Sequence, residues 1–513
     1  MRKFFFLLAA CILCFACNSG SHGTSAKKIA NHVQIGDLYY DLYEDYTAEL
    51  VTDQTGVLLF KSYQYLEGDL VIPSSVEYEG STYTITSIGD RAFQFCSALT
   101  SVTIPDSVTG IGWDVFDGCS GLKEPVYNEH LFVYMPRSYK GAYVIPEGIQ
   151  TIVIGAFEYC YKMTSVTIPE SVTTIESRAF SHCEALTNVI IPESVTTIKY
   201  GAFMGCSALT SVTFPKSITS IEYSVFDGCS SLKEPVYNEH VFVNMPRSYK
   251  GAYVIPEGIQ TIVGGAFENC AGLTSVTIPE SVTTIEQVAF YGCTGLTSIT
   301  IPESVTSIGK TTFDGCIVSP GTFQDCKSLT SITLPNSITT IADDAFQGCI
   351  SLTSVTIPES VTGIGAGAFM YCTALKNITI PNSVTRIGDG AFWGTGLTDI
   401  TIPNSVTEIG YSAFHNCMGL TKPIYNEHVF AYLPQSFTGE YEVPQGIQTI
   451  AAGAFMECFS LTSVTLPNSV RTIGDLAFND CINLTSINIP KGVTGIDEYS
   501  FSGCYNLKIT YEE

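Results

Sequence analysis

The chain has 513 residues, 45% hydrophobic, 12% aromatic and 14% charged, with 44 Gly and 23 Pro. That composition belongs to a folded protein and excludes a disordered or collagen-like chain. A formal charge of −25 with no basic run excludes a nucleic-acid-binding role, which depends on clustered Lys and Arg; the dispersed acidic residues read as a solvated surface.

The first 16 residues, MRKFFFLLAACILCFA, carry two basic residues and then an apolar run too short to span a bilayer, which reads as a signal peptide. Cys11, Cys14 and Cys17 have the spacing of an iron–sulfur motif, but the first two lie in the segment that is removed. Cys17 follows Ala16 and opens a polar tether at 17–30, a pattern that resembles a bacterial lipoprotein signal and makes Cys17 the lipidation candidate. The sequence departs from that pattern three positions earlier, where Cys14 replaces the usual Leu; plain cleavage at the same bond is the alternative. No other stretch is long and apolar enough for a membrane helix, so any membrane contact runs through the lipid.

Residues 31–84 alternate aromatic and apolar side chains with polar ones and predict a β cap of strands and hairpins. From 85 to 506 the chain repeats a 23-residue phrase, L-T-S-V-T-I-P-E-S-V-T-x-I-x-x-x-A-F-x-x-C-x-x, whose Phe recurs seventeen times between Phe93 and Phe501. The opening L-x-x-V-x-I has the pattern and period of a leucine-rich-repeat strand. The prediction is a leucine-rich-repeat solenoid, mostly β with short irregular or 3-10 convex segments: a right-handed curved rod of 17 or more coils. At the ~4.8 Å strand spacing it would be on the order of 80–100 Å long.

Within a coil, Val102 and Ile104 face the core by two-residue alternation, Ser101 and Thr103 face out, and Pro105 ends the strand. Sixteen Cys sit three residues after the Phe, and Thr395 takes the seventeenth place. Equivalent positions in stacked coils lack the crossed geometry of a disulfide, so a ladder of free buried thiols is expected. A metal array is not, because no His or second Cys accompanies each one. The tail 507–513 reads as a last strand with a charged end.

Three units are long, at 120–160, 230–270 and 418–458, with 18 residues added before the frame resumes. The first addition reads PVYNEHLFVYMPRSYKGAYVIP and predicts a hairpin or an extra rung. Its Tyr127, Phe132, Tyr134, Arg137, Tyr139 and Tyr143 are of the types enriched in interface hot spots. So are their counterparts Phe242, Arg247, Tyr249 and Tyr253 in the second unit, and Phe430, Tyr432, Phe437 and Tyr441 in the third. The competing reading is that these aromatics pack the added rung onto its neighbours. The second binding candidate is the outward Thr row, represented by Thr277, Thr300, Thr333 and Thr356, against the reading that Thr is merely a good exposed-strand residue. IVSPGTFQDC, between Cys316 and Cys326, resembles the remnant of a deleted long unit.

No enzyme signature is present, and Y-N-E-H, which repeats around His130, His240 and His428, would be an improbable triplicated active site. The carboxylates after the strand Pro, such as Glu280 and Glu303, lack the several oxygens of a calcium site. Neither catalytic residues, metal nor cofactor are expected.

The repeat phrase, the stretch VIPSSVEYEGSTYTITSIGDRAF and the opening hairpins resemble the BspA-type leucine-rich-repeat surface proteins of host-associated bacteria over nearly the whole mature chain. One departure from ordinary leucine-rich repeats is that Ser107 and its equivalents stand where an Asn ladder is usual. The resemblance implies a cell-surface or outer-membrane lipoprotein, or else a secreted protein, that adheres to a host or microbial extracellular protein or to other cells. The alternatives are a glycan-capture lipoprotein and a structural envelope scaffold.

Overall fold

The computed structural model describes residues 26–52, 63, 66–309, 321–497 and 499–511. The leader, Cys17 and the coil at Phe313 and Cys316, with its proposed deletion, lie outside them. The chain divides into two compact units, with the boundary between Asn238 and Glu239. Both are β solenoids, and no helix occurs among the described residues.

The first unit opens with the β cap. Lys28–Ile35, Leu38–Tyr43 and Thr47–Val51 form an antiparallel meander, and the last of these pairs in parallel with Ser81–Ile88. The cap therefore starts inside the expected tether, because Ala30 and Val33 of its first strand pair with Leu42 and Tyr40. Ser81–Ile88 also pairs with Gly110–Ile111 of the first full coil, so one strand belongs to both cap and solenoid. Tyr40, Leu42, Leu50 and Ile85 are buried beneath it.

Most coils have two short strands; the coils of Ile378 and Ile400 form only the second, Arg386–Ile387 and Glu408–Ile409. The first, as in Leu99–Thr103, ends before the Pro, whose carbonyl accepts an i+3 bond from the Val amide (Val108 N–H to Pro105 O, 3.0 Å). The second, as in Thr174–Ile175, pairs with the same two residues one coil on, at Thr197 and Ile198. The chain then turns through the Phe and Cys. The described Phe rings at this position are buried, except the half-buried Phe501, and stack face to face, with centroids 4.7 Å apart for Phe157 and Phe180 and 5.0 Å for Phe180 and Phe203 in the first unit. In the second unit Phe267 and Phe290 lie 4.8 Å apart.

The residue before the Cys sits in the left-handed region, at φ +71° for Gly205, +67° for Gly292 and +57° for Asn269. This is why Gly, Asn and Asp recur there. Gly205 is further constrained, because a Cβ there would lie 2.6 Å from the His182 ring.

The cysteines are free, and all those described are buried except the half-buried Cys504. In ordinary coils the thiol donates to the Phe carbonyl one coil back: Cys183 to Phe157 O at 3.2 Å, Cys349 to Phe323 O at 3.1 Å. The same carbonyl accepts its own coil's Cys amide, so it is satisfied twice. Burial pushes the Cys372 and Cys458 thiols up to about 12. The buried thiols should therefore resist a water-soluble reagent, which needs thiolate and access, with half-buried Cys504, whose thiol pKa the Cys481 hydrogen bond lowers, as the exception; every repeat thiol should titrate once the protein is unfolded in guanidinium. Unfolded protein without thiols would replace the ladder with bridges.

In several coils the Ser of P-x-S does the work of the missing Asn ladder, whereas the buried Ser360, Ser405 and Ser469 hydroxyls have no partner among the described residues. Ser194 and Ser217 donate to Val172 O and Val195 O at 2.7 Å in the first unit, and Ser304 and Ser383 to Val282 O and Val361 O at 2.7 Å in the second. At the far end Lys508–Tyr511 pairs in parallel with Ser486–Ile489 as the last strand.

Candidate binding surface

Each long unit forms an extra rung, made shorter than a normal coil by merging two core positions into one. Phe132 occupies the place of the second-strand Ile, paired with Ile152, while its ring stacks on Phe157 at 4.5 Å. Phe242 pairs with Ile262 and stacks on Phe267 at 4.8 Å; Phe430 does the same with Ile450 and Phe455, also at 4.8 Å. One side chain thus fills the Ile and Phe slots together. The next Cys finds Met135 O at 3.7 Å in place of a Phe carbonyl, a longer contact than in ordinary coils.

This corrects part of the sequence reading. Phe132, Phe242 and Phe430 are fully buried and Tyr432 nearly so; they are core residues that a ligand cannot reach. Tyr134 turns toward Phe116, with ring centroids 6.0 Å apart, and burial pushes its hydroxyl up to about 12. Tyr143, Tyr253 and Tyr441 pair with Val166, Val276 and Val464 and are half-buried, packed on the rung's Phe at 5.7, 5.7 and 5.5 Å. Tyr139, Tyr249 and Phe437 meet those rings edge-on at 5.3 to 5.5 Å, and the Tyr139 and Tyr249 hydroxyls donate to Ala142 O and Ala252 O. Of the long-unit aromatics named above, Tyr127 and its counterparts Tyr237 and Tyr425 keep a large exposed fraction, 42 to 45%.

The tip cations also bind inward. Arg137 pairs with Asp117 at 2.7 Å and lies over the Tyr159 ring at 4.8 Å; Arg247 meets Glu268 at 3.6 Å. In the third unit Gln435 donates to Glu457 at 3.0 Å and stands 3.5 Å from buried His415.

Sequence reading missed the Asn of Y-N-E-H. Asn128 is buried, donates to Pro105 O and Val108 O at 3.2 and 3.0 Å, and accepts from the amides of His130 and Leu131 at 3.0 and 2.7 Å. Asn426 repeats the four bonds with Pro403 O, Val406 O and the amides of His428 and Val429. Asn238 donates to Pro215 O at 2.9 Å. In the first and third long units the motif is a buried Asx turn that fastens the rung to the preceding Pro corner. Among the described residues, no group of three His, Cys, Asp or Glu could hold a metal ion.

His415 is nearly buried, 3.6 Å from the Glu457 carboxylate, with the Trp393 ring edge-on at 4.9 Å. Burial holds its pKa below the ordinary His value, against the opposing pull of Glu457. The unfolded chain therefore takes up this proton before the folded one, and the contribution falls as pH drops through about 6.5 toward the lower folded value. Glu158, which burial pushes up to about 7 despite Arg178 and Arg137, acts in the opposite sense, so only a difference isolates the His. Relative to the wild type, His415→Gln should lose less stability between pH 7 and pH 5 in denaturant titrations; parallel curves would contradict this.

The sheet face differs from the long units. In the second unit Gly251–Val254, Leu273–Thr277, Ser298–Thr300, Ser331–Thr333 and Ser354–Thr356 form one parallel sheet. Its outward rows run in register through Ser275, Ser298, Ser331 and Ser354, and through Thr277, Thr300, Thr333 and Thr356. The four Thr are exposed. Neighbouring hydroxyl rows are tied to backbone one coil back: Thr330 and Thr353 donate to Thr297 O and Thr330 O, and Thr283 and Thr306 to Gln260 O and Thr283 O. The carboxylates after the Pro are also engaged, as where Glu303 accepts from the Asn336 amide at 2.8 Å.

A parallel β solenoid whose strands carry L-x-x-V-x-I and whose corners carry a hydroxyl ladder is a leucine-rich-repeat protein. The chain belongs to the family described as BspA type leucine rich repeat region, whose model matches in six copies over 74–142, 132–253, 248–319, 317–421 and 424–511. Among solved structures, it is similar to a leucine rich cell surface protein from Faecalibacterium prausnitzii A2-165 (25% identity, 96% of each chain, TM-score 0.28). A leucine-rich repeat protein from Eubacterium ventriosum shares 25% identity over 73% of this chain and 91% of its own, at TM-score 0.39. The pneumococcal vaccine antigen PcpA shares 17% over 95% and 100%, at 0.35. No curated protein matches the sequence. The family assignment rests on the repeat match. No helix among the described residues is long and apolar enough to cross a membrane.

Proposed function

We propose that the chain is an exported, non-enzymatic repeat protein, held at the cell surface by a lipid on Cys17, that binds a macromolecule of a host or of another microbe. The sheet face of the second unit is the contact surface, and the exposed Tyr127, Tyr237 and Tyr425 are contacts of the long units. The observation that carries this reading is the pair of in-register Ser and Thr rows, which make no side-chain hydrogen bond among the described residues while the hydroxyl rows beside them are tied to backbone. Family membership supports it as well. Repeated weak contacts along such a face add by multivalency, so a modest affinity per coil suffices.

The test displays the mature chain on beads and offers it host extracellular-matrix proteins and intact microbial cells. Retention above that on beads carrying an unrelated solenoid is expected, and no retention of any of them would sink the reading. Lipid mass on Cys17 and protease shaving of whole cells test the location; an unmodified Cys17 would leave a secreted form.

A further inference from the structure

The eight hydroxyls of Ser275, Ser298, Ser331, Ser354, Thr277, Thr300, Thr333 and Thr356 make no hydrogen bond to any described residue, although they stand beside rows that do. They form a two-by-four grid, one Ser and one Thr per coil, repeating at the ~4.8 Å strand spacing. The grid carries no charge and no Trp, Tyr or Arg, the side chains that anchor protein interfaces. Its one large exposed apolar side chain is Val254, in register with Thr277 at the sheet's first strand. Beyond the strand Pro runs a rim of exposed Glu257, Glu280, Glu303 and Glu359, broken by Asn336.

We infer that this grid is a docking strip for an unbranched, uncharged polysaccharide, one sugar to each coil. The inference rests on the surface-binding reading above and names its ligand class. Each feature of the grid bears on that choice. A ligand that gains from unpaired donors and acceptors must itself carry hydroxyls at a regular interval, and an extended glycan advances one ring in a length close to the strand spacing. The absence of aromatic and Arg anchors disfavours a protein partner there. The carboxylate rim repels sulfated, phosphorylated or uronic polymers, since like charges brought together cost affinity. The Thr methyl groups and Val254 supply apolar contact for the faces of the rings.

The test is native affinity electrophoresis of the mature chain in gels containing mixed-linkage β-glucan, unbranched β-mannan or linear xylan, with hyaluronan as the polyanion. Retardation is expected in at least one neutral glycan and not in hyaluronan. The combined variant Thr277→Val, Thr300→Val, Thr333→Val and Thr356→Val keeps the branched shape and removes the hydroxyls; it should weaken retardation at least tenfold. If its melting shows altered folding, Ser298→Ala with Ser331→Ala takes its place. Mobility unchanged in all three neutral glycans, equal retardation in hyaluronan, or equal retardation of the variants would overturn the inference. Retention of host proteins or cells without glycan retardation would remove the glycan and leave the surface-binding reading standing.

Discussion

Phe180→Ala is expected to cost about 3–5 kcal/mol, the range for emptying an aromatic site in a core that cannot collapse. The ring is fully buried between Phe157 at 4.7 Å and Phe203 at 5.0 Å, and neither neighbour can move in without breaking its own stack. Because each coil contacts only its neighbours, the loss should be local: hydrogen exchange should rise over the adjoining coils before the rest of the unit yields. Phe180→Leu, which keeps most of the volume, should cost less than about 1.5 kcal/mol. An Ala variant within about 1 kcal/mol of the wild type would mean that the stack is not what holds the coils together.

Asn426→Leu should be comparably damaging, although it adds apolar surface at a buried site. It strands the Val406 carbonyl and the amides of His428 and Val429, and takes one of two donors from the Pro403 carbonyl, which keeps the Val406 amide. A buried polar group without its partner costs about 1–3 kcal/mol, so a total of at least about 3 kcal/mol is expected even with incomplete additivity. Asn426→Asp retains the acceptor and should lose less. Protection of the Ile424–Tyr425 and Val429–Tyr432 strands should fall first. If denaturation and exchange are unchanged, the Asx turn does not fasten the rung.

The period, the thiol ladder and the outward Thr row were legible because each coil contributes one residue to each, so a position in the phrase is a position in space. Cys183 and Thr300 could be placed from spacing alone. The long units were not legible in that way. Their 18 added residues fall short of a full coil, and the phrase does not say that Phe132 replaces both an Ile and a Phe. Its aromatic company therefore read equally well as a contact surface. Asn128 was passed over because the titratable Tyr127, Glu129 and His130 around it drew the chemical argument. The available signal was an Asn three residues before an apolar strand, at the same place in three units. The cap's start at Lys28 was missed because a basic residue beside a polar tether gives no strand signal, whereas Ala30 and Val33 pair on the far side of the hairpin.

The central claim is that binding takes place chiefly on the sheet face of the second unit, with the long units adding only their exposed Tyr127, Tyr237 and Tyr425. The most direct measurement is capture of host or microbial cells by the mature chain and by a Thr300→Lys, Thr333→Lys variant, which places two long cations on exposed positions without touching the core. Capture by the variant should fall at least tenfold with its melting unchanged. Equal capture by the two proteins would contradict the claim.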